Sequence, residues 1–597
     1  MLAERVAEGR LPPLPQRLPQ DPLVVKPYER PGLYGGTWHM LHDNPDLGIY
    51  KMIAGYPTLT RWRADCSGIE PGLARSWEFN KDGSALTLHL RHGVRWSDGV
   101  EYTSEDFAFW YQLCKDKRQQ YKPPYWCLVH GQPMRVETPD KYTIVMRFAG
   151  PNWFVPLHLA TGFWWSDEYV CPKHYMKQFH PDYNPKYRDF VEFERRNLSY
   201  SNPDRPTLWP WRLARIEDGG YRIKLERNPY YWMVDTLGRQ LPYIDRVESS
   251  LVLDPQVAVL KVLAGEVDCQ FRRLELRDLA LFAQGRKRGD YRILRWQSAS
   301  GAETSVLLNW SAPDPVLRRL IREKRFRRAL SLGIDREKCN EIAWRGLATP
   351  QQATVSREAW HFQSPDGRKL FDEWARSYAD YNPAEANRLL DEIGLTQRDS
   401  DGFRLRPDGQ RLSLTFEVSA DAQQGPEPDE AVIIQGDWRK LGIEVLITTP
   451  PGAEFTNRQR LGQYTVSTHG EAEMDLFTYP DWVFPTEDKY WHPAIGRWYK
   501  TGGKEGEAPT GPMKALLDIY DRIKTERNLE KCHQLVQEAV RLHIAAGPFC
   551  LGTAARTPVL VIAKNGFRNV PPTGILGPWA VSGPASSFPE QFYFAHP

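Results

Sequence analysis

The sequence lacks a long hydrophobic run and an excess of charge of one sign. Its best apolar stretches, residues 542–552 and 559–563, fall far short of the roughly 20 residues that cross a bilayer. Lys and Arg number 78 against 75 Asp and Glu, so no basic field of the kind that attracts nucleic acid is present. The sequence therefore predicts neither a membrane-spanning helix nor a nucleic-acid partner.

Paired-cysteine motifs are also missing. The eight cysteines include no C-x-x-C pair, which removes the basis for a zinc ribbon or a thioredoxin-type site. Their even number permits an exported protein with a disulfide among Cys114, Cys127 and Cys171. We expect buried thiols instead, because a free cysteine packs like a small apolar side chain.

Common catalytic and nucleotide-binding motifs are absent too. There is no G-x-S-x-G or H-E-x-x-H, and residues 501–505 form a glycine turn without the phosphate loop of an NTPase. Residues 397–408 match part of a calcium loop, but Gln397 opens it and Asp408 replaces the bidentate Glu. Two Asp-Gly pairs in this stretch predict a hairpin. The sequence thus predicts no catalytic residue, no cofactor and no metal.

The first 13 residues carry four charges within the first ten positions and no apolar core, unlike a secretory signal. We therefore expect either a cytosolic protein or one whose leader is not part of this sequence. Seven prolines fall within residues 1–32. Because proline-rich chain favours extended conformations, residues 1–33 are predicted to form an extended arm.

Beyond the arm, strands alternate with helices. In residues 78–95 the turn Asn80–Gly83 precedes leucines that alternate with polar residues, which predicts a hairpin with one buried face. Thr103 or Ser104 is placed to cap a helix, and a long helical pattern over 513–545 breaks near residue 527. This pattern favours two lobes with mixed sheets over four independent domains.

A cluster of arginines between residues 318 and 328 raises the possibility of a phosphate site. The arginines are interleaved with apolar residues at helical spacing. We interpret them as the solvated face of amphipathic helices whose long side chains cover apolar surface.

The segments Gly72–Glu78, Leu86–Gly99 and Thr103–Phe107 together resemble the signature of the family 5 extracellular solute-binding proteins, the dipeptide, oligopeptide, nickel and oligosaccharide receptors of ABC importers. Further segments follow in the family's order, namely 225–232, 241–245, 265–268, 325–337, 382–395 and 441–443. The resemblance covers roughly residues 34–570 and leaves out the arm and an insert at 121–165.

The resemblance implies an α/β fold of the two-lobed periplasmic-binding-protein type (type II, cluster C) with an extra subdomain in lobe one. Lobe one would comprise residues 34–60, 200–285 and 546–597, the subdomain 61–199, and lobe two 286–545. Such a receptor grips a solute between its lobes, closes by a hinge and delivers the solute to a membrane permease without chemical change. A monomer in the periplasm or outside the cell, associated with the cell envelope, is expected.

Candidate ligand-binding residues combine aromatic rings, which cover apolar faces of sugars or peptide side chains, with polar groups that orient the solute. Several are placed by position relative to the family pattern. The candidates are His42, Asn44, Trp165, Trp209, Trp211, Tyr479, Asp481 and Trp482.

The solute class rests on one loop. In peptide-binding relatives an Asp of lobe two captures the α-amino group of the ligand, and Asp481 is the nearest match, with Asp475 the other possibility. The stretch 465–478 departs from the family's loop, so an oligosaccharide stays the alternative to a peptide. A Trp-lined glycoside hydrolase and a peptide-handling chaperone on the same fold are the rivals from other classes.

Overall fold

The computed structural model describes residues 1–43, 53, 57–119, 122–161, 169–419, 428–471, 473–576 and 587–597. The chain divides into two compact units, residues 1–296 with 559–597, and residues 297–558. Among the described residues, no helix has the length and apolar character that a membrane crossing requires. The side chains of all eight cysteines are buried, as the buried-thiol interpretation expected.

Helices are distributed over both units. Within the described ranges the α-helices are α1 Leu2–Ala7, α2 Ser104–Lys115, α3 Val155–Leu159, α4 Lys173–Met176, α5 Val191–Asn197, α6 Pro255–Leu263, α7 Leu279–Gly285, α8 Pro315–Arg322, α9 Lys324–Leu332, α10 Arg336–Ala343, α11 Pro365–Arg376, α12 Pro383–Glu392, α13 Pro428–Lys440, α14 Gly452–Leu461, α15 Pro493–Lys500, α16 Gly511–Thr525 and α17 Leu529–Ala546.

Strands are mostly short and form several separate sheets. In the same ranges the strands are β1 Leu23–Val25, β2 Thr37–His42, β3 Thr60–Trp62, β4 Ile69–Pro71, β5 Ala74–Phe79, β6 Ala85–Leu90, β7 Leu128–Val129, β8 Gln132–Pro133, β9 Arg135–Asp140, β10 Thr143–Arg147, β11 Trp211–Glu217, β12 Arg222–Arg227, β13 Met233–Asp235, β14 Arg246–Leu251, β15 Cys269–Gln270, β16 Tyr291–Ser298, β17 Ala302–Leu308, β18 Thr349–Pro350, β19 Ser413–Glu417, β20 Glu444–Thr448, β21 Val466–Glu471, β22 Cys550–Gly552, β23 Ala554–Ala555, β24 Pro558–Lys564, β25 Phe567–Arg568, β26 Ile575–Leu576 and β27 Tyr593–Phe594.

The predicted hairpin is confirmed as the β5–β6 pair of an antiparallel sheet with strand order β5-β6-β10-β9. Leu86, Leu88 and Leu90 are completely buried and belong to a large apolar core. Helix α2 begins after Thr103, whose backbone N–H donates to the Asp106 carboxylate at 2.9 Å, so the predicted start is confirmed. The alternating leucines thus determine which face of this sheet is buried.

A second sheet of the first unit has strand order β11-β12-β14-β2. The strands are antiparallel except β2, which runs parallel to β14 at the edge of the sheet. One face packs into a core that contains Trp38, Trp211, Leu213 and Leu225. The other face carries the charged residues of β12 and β14, as expected for a sheet with one solvated side.

The second unit is built on a five-stranded sheet of order β20-β19-β21-β17-β22. Strands β19, β20 and β21 are parallel, whereas β17 is antiparallel to both β21 and β22. Phe416, Trp438 and Leu330 are among the buried residues of its apolar core. Because the three parallel strands run in the same direction, their carboxyl ends lie at the same end of the sheet.

Three features bear on predictions from the sequence. The arm differs from a wholly extended segment, because α1 occupies residues before the first proline. The long C-terminal pattern is two helices, α16 and α17, with the break where it was predicted. Bridges between Arg398 and Arg404 and between Leu405 and Arg411 form the turn predicted at the calcium-like sequence.

The arginine cluster is only partly a solvated face. The Arg327 side chain is buried, and its guanidinium donates to the main-chain oxygens of Ile321, Ala546 and Pro548 at 2.6–2.7 Å. Burial lowers the pKa of Arg327 to about 9. The expectation of solvation is therefore wrong for Arg327, because three carbonyl oxygens replace its water.

Candidate ligand-binding site

The carboxyl ends of β19 and β21 are the place where an open α/β sheet positions ligand-binding loops. The segment 473–492 follows β21 in the chain and contains three of the predicted ligand-binding residues, Tyr479, Asp481 and Trp482. Turns join them, with the main-chain oxygen of Pro480 accepting from the N–H groups of Val483 at 3.0 Å and Phe484 at 2.8 Å. The structure therefore brings these three residues together in one folded segment.

Asp475 is the buried centre of this segment. Its Oδ1 accepts from Trp360 Nε1 at 3.1 Å and from the Phe477 N–H at 3.2 Å, and its Oδ2 accepts from Thr478 Oγ1 at 2.6 Å. Burial raises the pKa of Asp475 to about 6, although these donors favour the charged form. Since groups of the protein itself donate hydrogen bonds to both carboxylate oxygens, Asp475 stabilises the fold of this segment.

A pair of histidines lies next to Asp475. The Nδ1 atoms of His361 and His533 are 2.9 Å apart, and His361 Nε2 accepts from the Leu476 N–H at 2.9 Å. His361 must then carry its proton on Nδ1 and donate it to His533. Burial holds the pKa of His361 well below its usual range and lowers that of His533 to about 4. Both rings are neutral near pH 7.

Asp481 forms an ion pair inside the segment. Its side chain is buried, and Oδ2 accepts from Lys489 Nζ at 2.9 Å. Lys489 has a side chain that is 53% exposed, so one partner of this pair faces water while the other does not. Desolvation lowers the pKa of Lys489, and the Asp481 charge more than offsets this, so the pKa is raised. The pair thus joins a buried carboxylate to a partly exposed ammonium group.

Trp482 lies against aromatic neighbours of the same unit. Its ring centroid is 5.1 Å from that of Tyr490 in an edge-on arrangement and 6.3 Å from that of His469. The ring is buried, whereas Tyr479 is half-buried and donates its N–H to the Asp475 main-chain oxygen at 3.0 Å. Both residues stay predicted ligand contacts.

Buried hydroxyls near the sheet edge lack hydrogen-bond partners among the described residues. Thr304, Ser305, Thr468 and Thr553 all have fully buried side chains of this kind. Thr468 of β21 lies opposite Val306 of β17, and Val306 is two residues from Thr304 on the same face of that strand. The Thr553 N–H donates to the main-chain oxygen of Thr304 at 3.3 Å. A buried hydroxyl without a partner costs free energy.

The candidates of the first unit lie in and beside its second sheet. Trp211 is completely buried, donates its indole N–H to the Ile244 oxygen at 3.0 Å and packs edge-on against Trp38. Trp209 is buried in the same core, and Asn228 Nδ2 donates to its main-chain oxygen at 2.8 Å. These contacts account for Trp211 as a core residue, and its contact with a ligand stays a prediction.

His42 ends β2 and is also buried. Its Nδ1 lies 2.8 Å from Ser249 Oγ and its Nε2 lies 3.0 Å from the Gly220 oxygen, so the protein occupies both ring nitrogens. Burial lowers the pKa of His42, which keeps the ring neutral. Asn44 and Trp165, the two remaining candidates, lie outside the described residues.

Sequence reasoning missed two features of this region. Lys489 lies eight residues after Asp481, and no helical or strand periodicity links the two positions. The hydroxyls of Thr304, Thr468 and Thr553 come from three parts of the chain that are far apart in sequence. Only the clustering of charged and aromatic residues over 473–492 could have pointed to the first feature, and no sequence signal points to the second.

Comparison with known proteins identifies the family. Residues 68–485 match the model of the bacterial extracellular solute-binding proteins, family 5 Middle. The chain belongs to family 5 of the bacterial extracellular solute-binding proteins. The resemblance seen in the sequence and the two-lobed α/β fold that it implied are thereby confirmed.

The relatives of this family 5 protein are named for different solutes. It is 24% identical to the periplasmic alpha-galactoside-binding protein of Rhizobium meliloti, over 95% of this chain and 83% of that protein. It is 25% identical to the oligopeptide-binding protein AppA of Bacillus subtilis, over 71% of this chain and 68% of that protein. The role of a solute-binding receptor for an ABC importer is confirmed at this level, and the glycoside hydrolase alternative finds no support in the family.

Solved structures match the whole length of the family 5 chain. An oligopeptide-binding protein OppA superposes with a TM-score of 0.81 at 33% identity, covering 100% of this chain and 96% of that one. The periplasmic binding protein MelB of Agrobacterium fabrum, solved with stachyose, superposes with a TM-score of 0.71 at 24% identity, covering 99% and 90%. The second likeness shows the fold alone.

Proposed function

We propose that this family 5 protein is a monomeric receptor of the cell envelope that binds a peptide and passes it unchanged to an ABC permease. Its ligand would be oriented by Asp481 and covered by aromatic side chains of the segment 473–492. The full-length similarity to an oligopeptide-binding protein at 33% identity supports a peptide as the solute. Lack of enzymatic activity in this chain is part of the proposal.

The ion pair between Asp481 and Lys489 carries the proposal. A buried carboxylate is stable only with a matched charge. Lys489, whose side chain is half-exposed, supplies an ammonium group whose Nζ lies 2.9 Å from Asp481 Oδ2. The α-ammonium group of a peptide has the same charge and hydrogen-bonding capacity. It can therefore replace Lys489 on Asp481 without leaving the carboxylate uncompensated, and the lysine side chain returns to water.

An oligosaccharide is the second candidate. The unpartnered hydroxyls of Thr304, Thr468 and Thr553 match the alternating donors and acceptors of a sugar. An Asp481 charge already neutralised by Lys489 also suits a neutral ligand. The similarity to an alpha-galactoside-binding protein over 95% of the chain points the same way.

Two substitutions distinguish the candidates. We expect Asp481→Asn to weaken peptide binding at least tenfold, since a desolvated charge pair is lost, and Lys489→Gln to strengthen it, since the competing ammonium group is removed. Lys500→Gln is the matched control, because Lys500 is 51% exposed and also pairs with carboxylates. Isothermal titration with a mixed tripeptide set and with raffinose and stachyose measures the affinities.

The results separate the two solutes clearly. Peptide affinity that rises in Lys489→Gln, falls in Asp481→Asn and is unchanged in Lys500→Gln supports a peptide receptor. Binding of an α-galactoside alone, unaffected by Lys489→Gln, would replace the peptide with an oligosaccharide. Mass spectrometry of the purified protein under native conditions adds an independent result, because a retained solute reports its own mass.

A further inference from the structure

Helix α6 of the first unit exposes an apolar stripe. Leu253, just before the helix, is 74% exposed, and Val257 and Leu260 are 40% and 63% exposed. Val257 and Leu260, three residues apart, share one face of the helix, and Leu253 precedes the N-cap residue Asp254. Val257 and Leu260 are therefore adjacent exposed apolar side chains on one helix, rather than single scattered ones.

The stripe lies opposite the buried face of the same helix. Ala258, Val259 and Val262 belong to an apolar core, and only Gln256 and Lys261 provide polar side chains between Pro255 and Leu263. A surface helix ordinarily carries polar residues on the face away from the core. On the outer face of α6, Gln256 and Lys261 flank Val257 and Leu260, so this face combines an apolar pair with an adjacent lysine.

A basic corner adjoins the C-terminal end of this stripe. Arg286, Lys287 and Arg288 are exposed, and none of them forms an ion pair with a described residue. The glycines on either side hold the corner against α6, because a Cβ on Gly285 would lie 2.4 Å from Leu263 Cδ2 and one on Gly289 would lie 3.3 Å from the Val262 oxygen. These contacts place residues 286–288 near the C-terminal end of α6.

We propose that this face, defined by Leu253, Val257, Leu260 and residues 286–288, binds the surface of an anionic bilayer. The apolar side chains would enter the boundary between headgroups and acyl chains, and the three basic side chains would contact lipid phosphates. A membrane-surface helix has this combination of an apolar face with adjacent Lys and Arg. The first unit would thus rest on the membrane in which the permease of the proposed function lies.

A bilayer fits this face better than a protein partner does. Helix α6 has nine residues and so is about 14 Å long, and a stripe of three side chains is much smaller than the roughly 800 Å² that each partner buries in a stable protein interface. A lipid surface requires no shape complementarity. Charge attraction over a Debye length adds to the small apolar contact, so weak and reversible attachment is expected.

Sedimentation with vesicles tests the proposal on the full chain. One set of vesicles is phosphatidylcholine with about one third phosphatidylglycerol, and the other is phosphatidylcholine alone. We expect the wild-type chain to partition to the anionic vesicles at low salt and to dissociate as salt rises. Arg286→Gln, Lys287→Gln and Arg288→Gln combined should weaken partitioning about tenfold or more, and Val257→Gln with Leu260→Gln should also weaken it.

Matched controls separate a specific face from net charge. Lys81→Gln, Lys177→Gln and Arg188→Gln combined remove three exposed charges elsewhere in the unit, and Leu237→Gln removes another exposed leucine. We expect both controls to bind vesicles like the wild type. A wild-type chain that ignores anionic vesicles, or α6 variants that bind like the controls, would overturn the proposal and leave a protein partner for this face.

Solute binding by the same variants is measured in parallel. All substituted side chains are exposed and distant in sequence from the segment 473–492, so solute affinity should be unchanged. Loss of vesicle binding with intact solute binding supports the bilayer face. Absence of solute binding in the wild type would instead refute the proposed receptor function, and the vesicle result would stand independently.

Discussion

Replacing Asp475 by Asn should change how the stability of the second unit depends on pH. Asp475 is completely buried, and burial raises the pKa of its carboxyl from 3.8 to about 6. The folded chain therefore retains a proton that the unfolded chain releases between about pH 4 and pH 6. Stability falls as pH rises through this window and stays at the lower level above it.

The magnitude follows from the shift in pKa. A difference of about two units corresponds to about 3 kcal/mol, since one unit is worth 1.36 kcal/mol. The amide introduced by Asp475→Asn does not ionise, so this variant does not lose stability through this group as pH rises. The difference in free energy of unfolding between the variant and the wild type should therefore increase by about 3 kcal/mol from pH 4 to pH 7. A constant offset of about 1 kcal/mol is expected from the altered bond with Thr478.

Thermal unfolding at a series of pH values provides the assay. For a unit the size of residues 297–558, a change of about 3 kcal/mol moves Tm by roughly 5–10 °C. Asp518→Asn, at an exposed position of α16, corrects for the loss of one carboxylate. A difference in Tm between Asp475→Asn and the wild type that is flat from pH 4 to pH 7 would refute the reasoning.

Two further outcomes are expected from the structure. Trp211→Ala should destabilise the first unit by about 3–5 kcal/mol, because it empties a buried site and leaves the Ile244 oxygen without its donor. Urea unfolding measures this loss of stability. Trp211→Phe should destabilise the unit less, because it retains a ring in the same site. Burial lowers the pKa of His533 to about 4, so the unfolded chain takes up a proton first as pH falls below about 6.5 and stability declines toward pH 4. His533→Gln should decline less steeply than the wild type, because His361 still contributes, and a variant with the wild-type acid profile would contradict a neutral His533.

The fold could be predicted to a large extent because its signals are local. Alternating leucines determined the β5–β6 hairpin, and the Asn-Pro at 382–383 marks the start of α12, where Asn382 Oδ1 accepts from the Glu385 N–H at 3.0 Å. Ordered family segments then indicated two lobes. The short α1 was missed, since prolines dominate the composition of the arm but begin only at residue 12.

The site was harder to predict because it depends on contacts between distant parts of the chain. Aromatic residue type alone does not distinguish a ligand-stacking ring from a core ring, and Trp211 is accounted for by Trp38 and Ile244. The same limit applies to Arg327, whose burial is compensated by carbonyl oxygens more than 200 residues away. Residue type and spacing carry no information about such pairs.

Recovery of the bound solute tests the central claim most directly. The chain is incubated with the tripeptide set and, separately, with raffinose and stachyose, and bound and free solute are analysed by mass spectrometry after equilibrium dialysis. We predict saturable binding of one solute molecule per chain, recovered with its mass unchanged. A product of altered mass that accumulates beyond the amount of protein present would contradict the account of a receptor that delivers its solute intact.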